Sequence, residues 1–281
     1  MIEVIRPSRQ HRRHRGKSDP ADADAAAKAV LAKDADSVPK SGDATVEMIR
    51  ALRVARGSAI KAKRQTINTM KALVVTAPDE LRESLRNLTA IQLVRHCSRF
   101  KSVPVRTPEA ATKVALRSLG QRHTFLEEEI ERLDASLDVL VTAAAPALVD
   151  RYGIGTDTAG ALLVAAGDNP DRLRSESAFP MLCGASPVQA SSGMKQRHRL
   201  NRGGDRQANA ALHRIVVVRL RYDSHTRDYM GRRLAEGKTR TEVIRCLKRY
   251  VAREVFGVLR ARTSRQASQT QPNLGQPKTA A

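Results

Sequence analysis

The stretch TPEAATKVALRSLGQRHTFLEEEIERLDASLDVLV, residues 107–141, decides the fold class of this chain. Its large aliphatic residues recur at steps of three and four residues, the spacing that places side chains on one face of an α-helix. They are Leu116, Leu119, Leu126, Ile130, Leu133, Leu137 and Leu140. The pattern therefore predicts one long amphipathic helix.

A second stretch, residues 44–73, has the same periodicity among many Arg and Lys residues. Its apolar positions are Val46, Ile49, Leu52, Ile60, Ile67, Met70 and Leu73. The two predicted helices could pair within one chain or across a dimer as a coiled coil, and the spacing does not decide between these arrangements. We assign residues 44–143 to a long-helix, coiled-coil-like region.

The rest of the chain is also rich in helix signals, so we predict a mainly α fold. A C-terminal α-helical domain is expected over residues 146–262, and the polar segment 263–281 is expected to be a disordered tail. Helices or short helices with turns are predicted over 21–35, 77–104, 206–222 and 239–259, and residues 152–168 are expected to form a hairpin with two glycines followed by a helix.

The charge of the chain indicates a polyanionic partner. Fifty Lys and Arg residues stand against 29 Asp and Glu residues, which gives a net charge of +21. Nucleic acid fits best, because a membrane surface would also require an apolar face, although a solvated basic surface is the simpler alternative. Aromatic residues make up 3% of the chain, which favours phosphate contacts over stacking of bases on aromatic platforms.

The three cysteines are Cys97, Cys183 and Cys246, and none belongs to a CxxC pair. Their number and spacing indicate neither a disulfide framework nor a zinc site, so we expect a reducing, cytoplasmic environment. No apolar run approaches the length of a membrane span, and we expect no membrane partner.

Two glycines flank one apolar residue in the sequence YGIGTD, residues 152–157. Gly153 and Gly155 would let backbone N–H groups approach a phosphate at the start of the following helix, as in helix-hairpin-helix modules. An ordinary structural turn explains the same glycines about equally well.

Two carboxylates, Asp19 and Asp22, lie three residues apart at a predicted helix start, so both project on one face. Paired oxygens of this kind can hold Mg²⁺. Helix capping and compensation of the helix dipole are the competing explanation, and the spacing alone favours that explanation.

A pair of serines, Ser191 and Ser192, precedes Gly193 at the edge of a basic segment. A serine can attack a phosphodiester when neighbouring cations stabilise the developing charge, and five side chains here could do so. They are Lys195, Arg197, His198, Arg199 and Arg202. From the residues alone, a turn beside a phosphate-binding loop is the stronger interpretation.

Several long motifs, in this order, resemble the IS-one-ten family of insertion-sequence transposases. They are EVIRPSRQHRRHRGKSDPADADAAAKAVL, APDELRESL, the segment from GIGTDTAG to ANAALHRI (residues 153–215), and EGKTRTEVIRCLKRYVARE. The resemblance implies an RuvC-like domain with four metal-binding carboxylates, a long helical insertion, and a C-terminal domain bearing a serine. Residues 1–36 would be the last part of the RuvC-like α/β domain.

The resemblance also implies roles for individual residues. Asp19 and Asp22 match the family's K(S/T)DxxDA motif and would bind Mg²⁺, while Ser192 matches the serine of its PxxxxSG stretch and would be the nucleophile, with Ser191 as second choice. DNA, a structured guide RNA and further copies of the chain are the implied partners, in a bacterial, nucleoid-associated setting.

The family's first Asp and its Glu have no match in this sequence. We therefore expect a transposase truncated at its N-terminus, which binds DNA and RNA but is not competent in catalysis alone. The alternative is a non-catalytic DNA- and RNA-binding regulator of transposition.

Overall fold

The computed structural model describes residues 4, 19–33, 40, 44–101, 103–168, 173, 175–189, 198–199, 201 and 203–270. Within these residues the chain is almost entirely α-helical, and the sheet they contain is a single pair of two-residue strands. The predicted mainly α fold is therefore confirmed. No helix of the described part is both long enough and apolar enough to cross a bilayer.

The described helices, in chain order, are α1 (Asp19–Leu31), α2 (Thr45–Val75), α3 (Asp79–Leu85), α4 (Ala90–Cys97), α5 (Pro108–Ala144), α6 (Pro146–Val149), α7 (Thr156–Ala166), α8 (Ala178–Leu182), α9 (Arg206–Tyr222), α10 (Ser224–Ala235) and α11 (Arg240–Thr270). The strands β1 (Val188–Gln189) and β2 (His198–Arg199) lie between α8 and α9.

The chain divides into two compact units. One, which we call the helical unit, comprises Met48–Leu140, within the range predicted for the long helices. The other, which we call the C-terminal unit, comprises residues 1–47 and 141–281.

In the helical unit, the long helices α2 and α5 run antiparallel in one chain. Arg56 pairs with Asp134, and Lys63 pairs with Glu127 at 2.6 Å, so higher numbers on α2 meet lower numbers on α5. Three of the seven aliphatic positions that predicted α5 are buried: Leu116, Leu126 and Leu137. A coiled coil across a dimer stays a prediction.

The core of the helical unit joins the end of α2 to α3, α4 and α5. Its buried residues are Met70, Val74, Ala77, Leu81, Leu85, Leu93, Val94, Cys97 and Leu116. A glycine lets α5 approach α4 closely, because a Cβ on Gly120 would lie 2.9 Å from the Ser98 backbone nitrogen. Burial raises the pKa of the Cys97 thiol to about 11.

In the C-terminal unit, α7 packs against α9, and α9 packs against α10 and α11. Helix α7 is rich in Ala and Gly and is buried on nearly every side, which allows close helix packing. Side chains cap the starts of α9 and α11. Asp205 accepts hydrogen bonds from the N–H groups of Gln207 and Ala208, and Thr239 forms a reciprocal capping box with Glu242.

Helix α11 differs from its sequence prediction, because it continues to Thr270 and so enters the predicted disordered tail. Residues 261–270 contain Ser and Thr as well as the better helix formers Ala, Arg and Gln, but they contain neither Gly nor Pro, the strongest helix breakers. Residues 271–281, the rest of that predicted tail, lie outside the described residues.

Candidate nucleic-acid site of the C-terminal unit

A short hairpin flanks the segment that carries the candidate serine. Strands β1 and β2 are antiparallel, with Val188 opposite Arg199 and Gln189 opposite His198. The intervening residues 190–197, and also Arg202, lie outside the described residues. The predicted Ser191, Ser192, Lys195 and Arg197 are among them, and the side chains of His198 and Arg199 are likewise not described. Because Gln189 and His198 lie opposite each other, the two described residues that bound the segment 190–197 are neighbours in space.

The hairpin is anchored to the turn after α8. The Asp205 backbone nitrogen donates a 2.7 Å hydrogen bond to the Leu182 carbonyl, and the Asn201 side chain donates to the Met181 carbonyl at 3.4 Å. Gly184 has φ +63°, in the left-handed region that favours glycine, and a Cβ there would lie 3.0 Å from the Asn201 carbonyl oxygen. The chain before β1 and the chain after β2 are thus held together at the base of the hairpin.

A buried lysine supports this anchor from α11. Lys248 is 6% exposed, and its ammonium donates a 2.9 Å hydrogen bond to the Asn209 side-chain oxygen. The Asn209 side-chain nitrogen in turn donates to the Cys183 carbonyl at 2.8 Å. Burial, and then the nearby charge of Arg245, lower the pKa of Lys248. No carboxylate within the described part of the chain pairs with this ammonium.

Lys248 was not predicted from the sequence. The only signal in the sequence was its place on α11 among residues that are buried in the structure, Val243, Leu247 and Val251.

The neighbouring Cys183 is also buried, and burial together with the charge of Asp205 raises the pKa of its thiol to about 12. That thiol is therefore protonated at neutral pH and unsuited to nucleophilic chemistry.

The two glycines of the YGIGTD turn have different surroundings. Gly153 has φ +77° and packs against α9, where a Cβ would meet the Arg219 side chain at 3.3 Å. Gly155 is exposed, precedes α7 as its N-cap, and has open space where a Cβ would stand. Its positive φ and its close packing explain why residue 153 is a glycine, whereas the open space at Gly155 leaves its backbone accessible to a ligand.

Arginine and acidic side chains fix this turn to α9 and α11. Arg219 donates from Nε to the Tyr152 carbonyl at 2.9 Å and forms two hydrogen bonds to Glu254, at 2.7 and 3.1 Å. In the first turn of α7, Asp157 pairs with Arg214 at 2.5 Å. The Asp157 carboxylate thus lies near the N-terminus of α7, where a phosphate is predicted to bind, and Arg214 neutralises its charge.

Asp19 and Asp22 lie in the first turn of α1, where Asp19 is exposed and Asp22 is half-buried. Among the described residues, no group of three or more His, Cys, Asp or Glu side chains is arranged so that it could hold a metal ion. Mg²⁺ is commonly held by one or two carboxylates with water and phosphate oxygens, so the pair fits part of such a site.

The glycine turn and the hairpin lie within one segment that matches a known family. Residues 146–231, from α6 into α10, match the model of the Transposase IS116/IS110/IS902 family. This part of the C-terminal unit is therefore similar to a domain of insertion-sequence transposases.

A protein of Streptomyces coelicolor, described as "Insertion element IS110 uncharacterized 43.6 kDa protein", is 29% identical over 150 residues. The aligned region covers 52% of this chain and 37% of that relative. The chain therefore matches well under half of the relative's length.

Proposed function

We propose that this chain acts in the transposition of an insertion sequence, by binding DNA and a structured RNA in a homo-oligomer. The observation that carries the proposal is the match of residues 146–231 to the transposase family, because that span includes the glycine turn, the hairpin and the predicted serine. The net charge of +21 supports a polyanionic partner.

In the proposed reaction, the Ser192 hydroxyl oxygen attacks a DNA phosphorus. The bond from Oγ to phosphorus forms as the bond from phosphorus to one sugar oxygen breaks, and the serine proton is passed on while the departing oxygen gains one. The resulting ester keeps the energy of the diester, so the strand can be rejoined elsewhere. Lys195, Arg197, Arg199 and Arg202 would stabilise the charge that develops on the phosphate oxygens.

Mg²⁺ is the proposed cofactor, held by Asp19 and Asp22 together with phosphate oxygens. When bound, the ion would supply Lewis-acid stabilisation of a phosphate oxygen. The exposed carboxylate of Asp19 and the half-buried one of Asp22 would orient it from the first turn of α1.

Binding is tested with the variant in which Lys195, Arg197 and Arg199 are all replaced by Ala. The dependence of the DNA association constant on salt should flatten by roughly one unit of slope for each phosphate that the variant no longer neutralises. Arg232 on α10 and Arg249 on α11, both exposed, provide a control of the same kind when replaced by Ala. Unchanged binding and slope in the triple variant would support a basic helical scaffold instead.

We propose in addition that residues 1–281 on their own do not recombine DNA, because the family resemblance implies four carboxylates and only Asp19 and Asp22 among these residues match them. Incubated with element-end DNA, RNA and Mg²⁺, they should give no denaturant-resistant protein–DNA adduct. An adduct that disappears in Ser192→Ala and persists in Ser191→Ala would show that the chain is competent.

The net charge of +21 and the long helices also support a second candidate function, a regulator that assembles with an intact transposase and inhibits it. Co-expression with a full-length relative should then lower the frequency of transposition. An unchanged frequency, with both proteins expressed at equal levels, would count against the regulator.

A further inference from the structure

A basic groove in the helical unit has no role in the function proposed above. It runs along α4 and has a volume of about 380 Å³, within the roughly 300–1,000 Å³ typical of small-ligand sites. The side chains that line it are Leu88, Gln92, Arg95, His96, Arg99 and Phe100.

Helical geometry explains why these residues meet. One face of α4 carries Leu93, Val94 and Cys97 into the core of the helical unit. Gln92, Arg95, His96 and Arg99 follow the opposite face at steps of three and four residues, and all four are exposed. Leu88 comes just before the helix and Phe100 just after it, so the groove extends over the whole length of α4.

The charged side chains of the groove, Arg95 and Arg99, are both positive. None of its six lining residues is acidic, and no carboxylate in the described part of the chain forms an ion pair with Arg95 or Arg99. Neighbouring arginines behave differently, because Arg82 pairs with Asp79 at 2.7 Å and Arg86 pairs with Glu83 at 3.1 Å. The groove therefore holds two guanidinium groups available to an anion.

An apolar floor lies beside these cations. Phe100 and Leu88 are half-buried against the core of the helical unit, and the His96 ring meets the Phe100 ring edge-on, with centroids 5.2 Å apart. The Gln92 side-chain oxygen accepts a 2.9 Å hydrogen bond from the Thr89 N–H, so its amide nitrogen remains as a donor. The groove thus offers ring surface, one amide donor and two cations within one site.

We propose that this groove binds one unpaired nucleotide of a single-stranded nucleic acid, with its phosphate on Arg95 and Arg99 and its base against Phe100. Aromatic contact with a base needs an exposed base face, which a duplex does not present. The scarcity of aromatic residues excludes an extended stacking platform, and a single ring here suits a single nucleotide. The inference rests on the proposed function only in that both require a nucleic-acid partner.

The test measures binding of the full chain to fluorescent single strands of about ten nucleotides, oligo-uridine and oligo-thymidine, and to a duplex of equal length. Two variants probe the groove: Arg95→Ala with Arg99→Ala, and Phe100→Leu, which keeps the core filled but removes the ring. A charge-matched control replaces Arg64 on α2 and Arg122 on α5, both exposed, by Ala. Circular dichroism and thermal melting confirm that each variant is folded.

The arginine pair variant should bind single strands at least tenfold more weakly, with a salt slope reduced by about 0.7 for each phosphate that it no longer neutralises. Phe100→Leu should weaken binding about fivefold or more, while duplex binding is unaffected by either variant. The variants should weaken binding most for the type of strand that the groove recognises. A larger loss with oligo-uridine would therefore indicate RNA, and a larger loss with oligo-thymidine would indicate DNA.

Unchanged single-strand binding in both groove variants would overturn the proposal, and so would three further results. The first is an equal loss of single-strand binding in the Arg64 and Arg122 control. The second is an equal loss of duplex binding in the groove variants. The third is an equal loss of binding to poly-glutamate, measured as a polyanion that has no bases. That result would show that the groove binds negative charge without contacting a base. None of these readouts involves Ser192, so failure of the serine chemistry would leave this result untouched.

Discussion

Gly204 lies so close to Gly184 that a Cβ built on Gly204 would overlap the backbone nitrogen and Cα of Gly184, and would stand 2.9 Å from the Cys183 carbonyl carbon. These are backbone atoms, which cannot turn aside as a flexible side chain could. The close approach joins the chain that enters the β1–β2 hairpin to the chain that leaves it. The closure of the base of the hairpin therefore depends on two glycines that touch.

Replacing Gly204 by Ala should destabilise the C-terminal unit by about 1–3 kcal/mol, because the two backbone segments must separate to admit a methyl group. Urea denaturation measures the change. Gly203→Ala is a matched control, since a Cβ there meets only the Asn201 side-chain oxygen, at 3.4 Å. Equal denaturation midpoints for the two variants would contradict the close approach.

Asn209 and Lys248 should show strong energetic coupling. Asn209→Ala leaves the buried ammonium of Lys248 and the carbonyl of Cys183 without this partner, at a cost of about 1–3 kcal/mol for each unsatisfied group. Lys248→Met removes the charge but keeps much of the side-chain volume. The double variant should therefore cost clearly less than the sum of the single ones. Strict additivity of the free energies of unfolding would refute the coupling.

Arg219→Lys should cost about 1–2 kcal/mol of stability, although the charge is kept. Lysine cannot reproduce the fork that contacts both Glu254 oxygens and the Tyr152 carbonyl. The Arg219 side chain is 15% exposed, whereas Arg253, which pairs with Glu176, is 50% exposed. Arg253→Lys should accordingly change stability by less than about 0.5 kcal/mol. A similar effect of both substitutions on thermal melting would argue against this distinction.

The helical unit should lose stability as the pH falls below 6.5. Burial lowers the pKa of His123, the charge of Lys63 lowers it further, and Glu127 opposes both. Between the lowered pKa and 6.5 the unfolded chain binds more protons than the folded one, so stability rises with pH in that window. The His123 Nδ1 atom, buried without a hydrogen-bond partner in the described structure, gains nothing from protonation.

The pH effect is measured by comparing the free energy of unfolding at about pH 7.5 and about pH 5 in the native chain and in His123→Leu. The native chain should lose more stability at the lower pH than the variant does. Glu127 acts at still lower pH, because its hydrogen bond with Lys63 lowers its pKa from 4.5. Identical losses in the two proteins would exclude His123 as the cause.

The long helices were predictable because their apolar spacing is strong, but their partnership was not. The same apolar stripe on α5 could pack against a helix of the same chain or of another copy. The antiparallel arrangement becomes visible only in the structure, where Arg56 and Lys63 form ion pairs with α5. Helix α10 was not predicted. None of its residues is buried, so its sequence needs no apolar stripe of the kind that marks the other helices.

The candidate site was predictable only as far as local motifs reach. Ser192, Asp19 and Asp22 were predicted because each lies in a contiguous motif, and their roles stay predictions. Two-residue strands such as β1 and β2 are too short to show alternation, so the hairpin was missed. Lys248 is separated from the hairpin along the chain, and its proximity to Asn209 arises only from the packing of α11 against α9.

The most direct test of the account is photocrosslinking of element-end DNA that carries a photoreactive group on its backbone phosphates, with the attachment sites mapped by mass spectrometry. If a DNA phosphate is held beside Ser192, crosslinks should concentrate in residues 190–202 and should fall when Lys195, Arg197 and Arg199 are replaced by Ala. Crosslinks distributed evenly over the basic surface, and unchanged in that variant, would contradict the account.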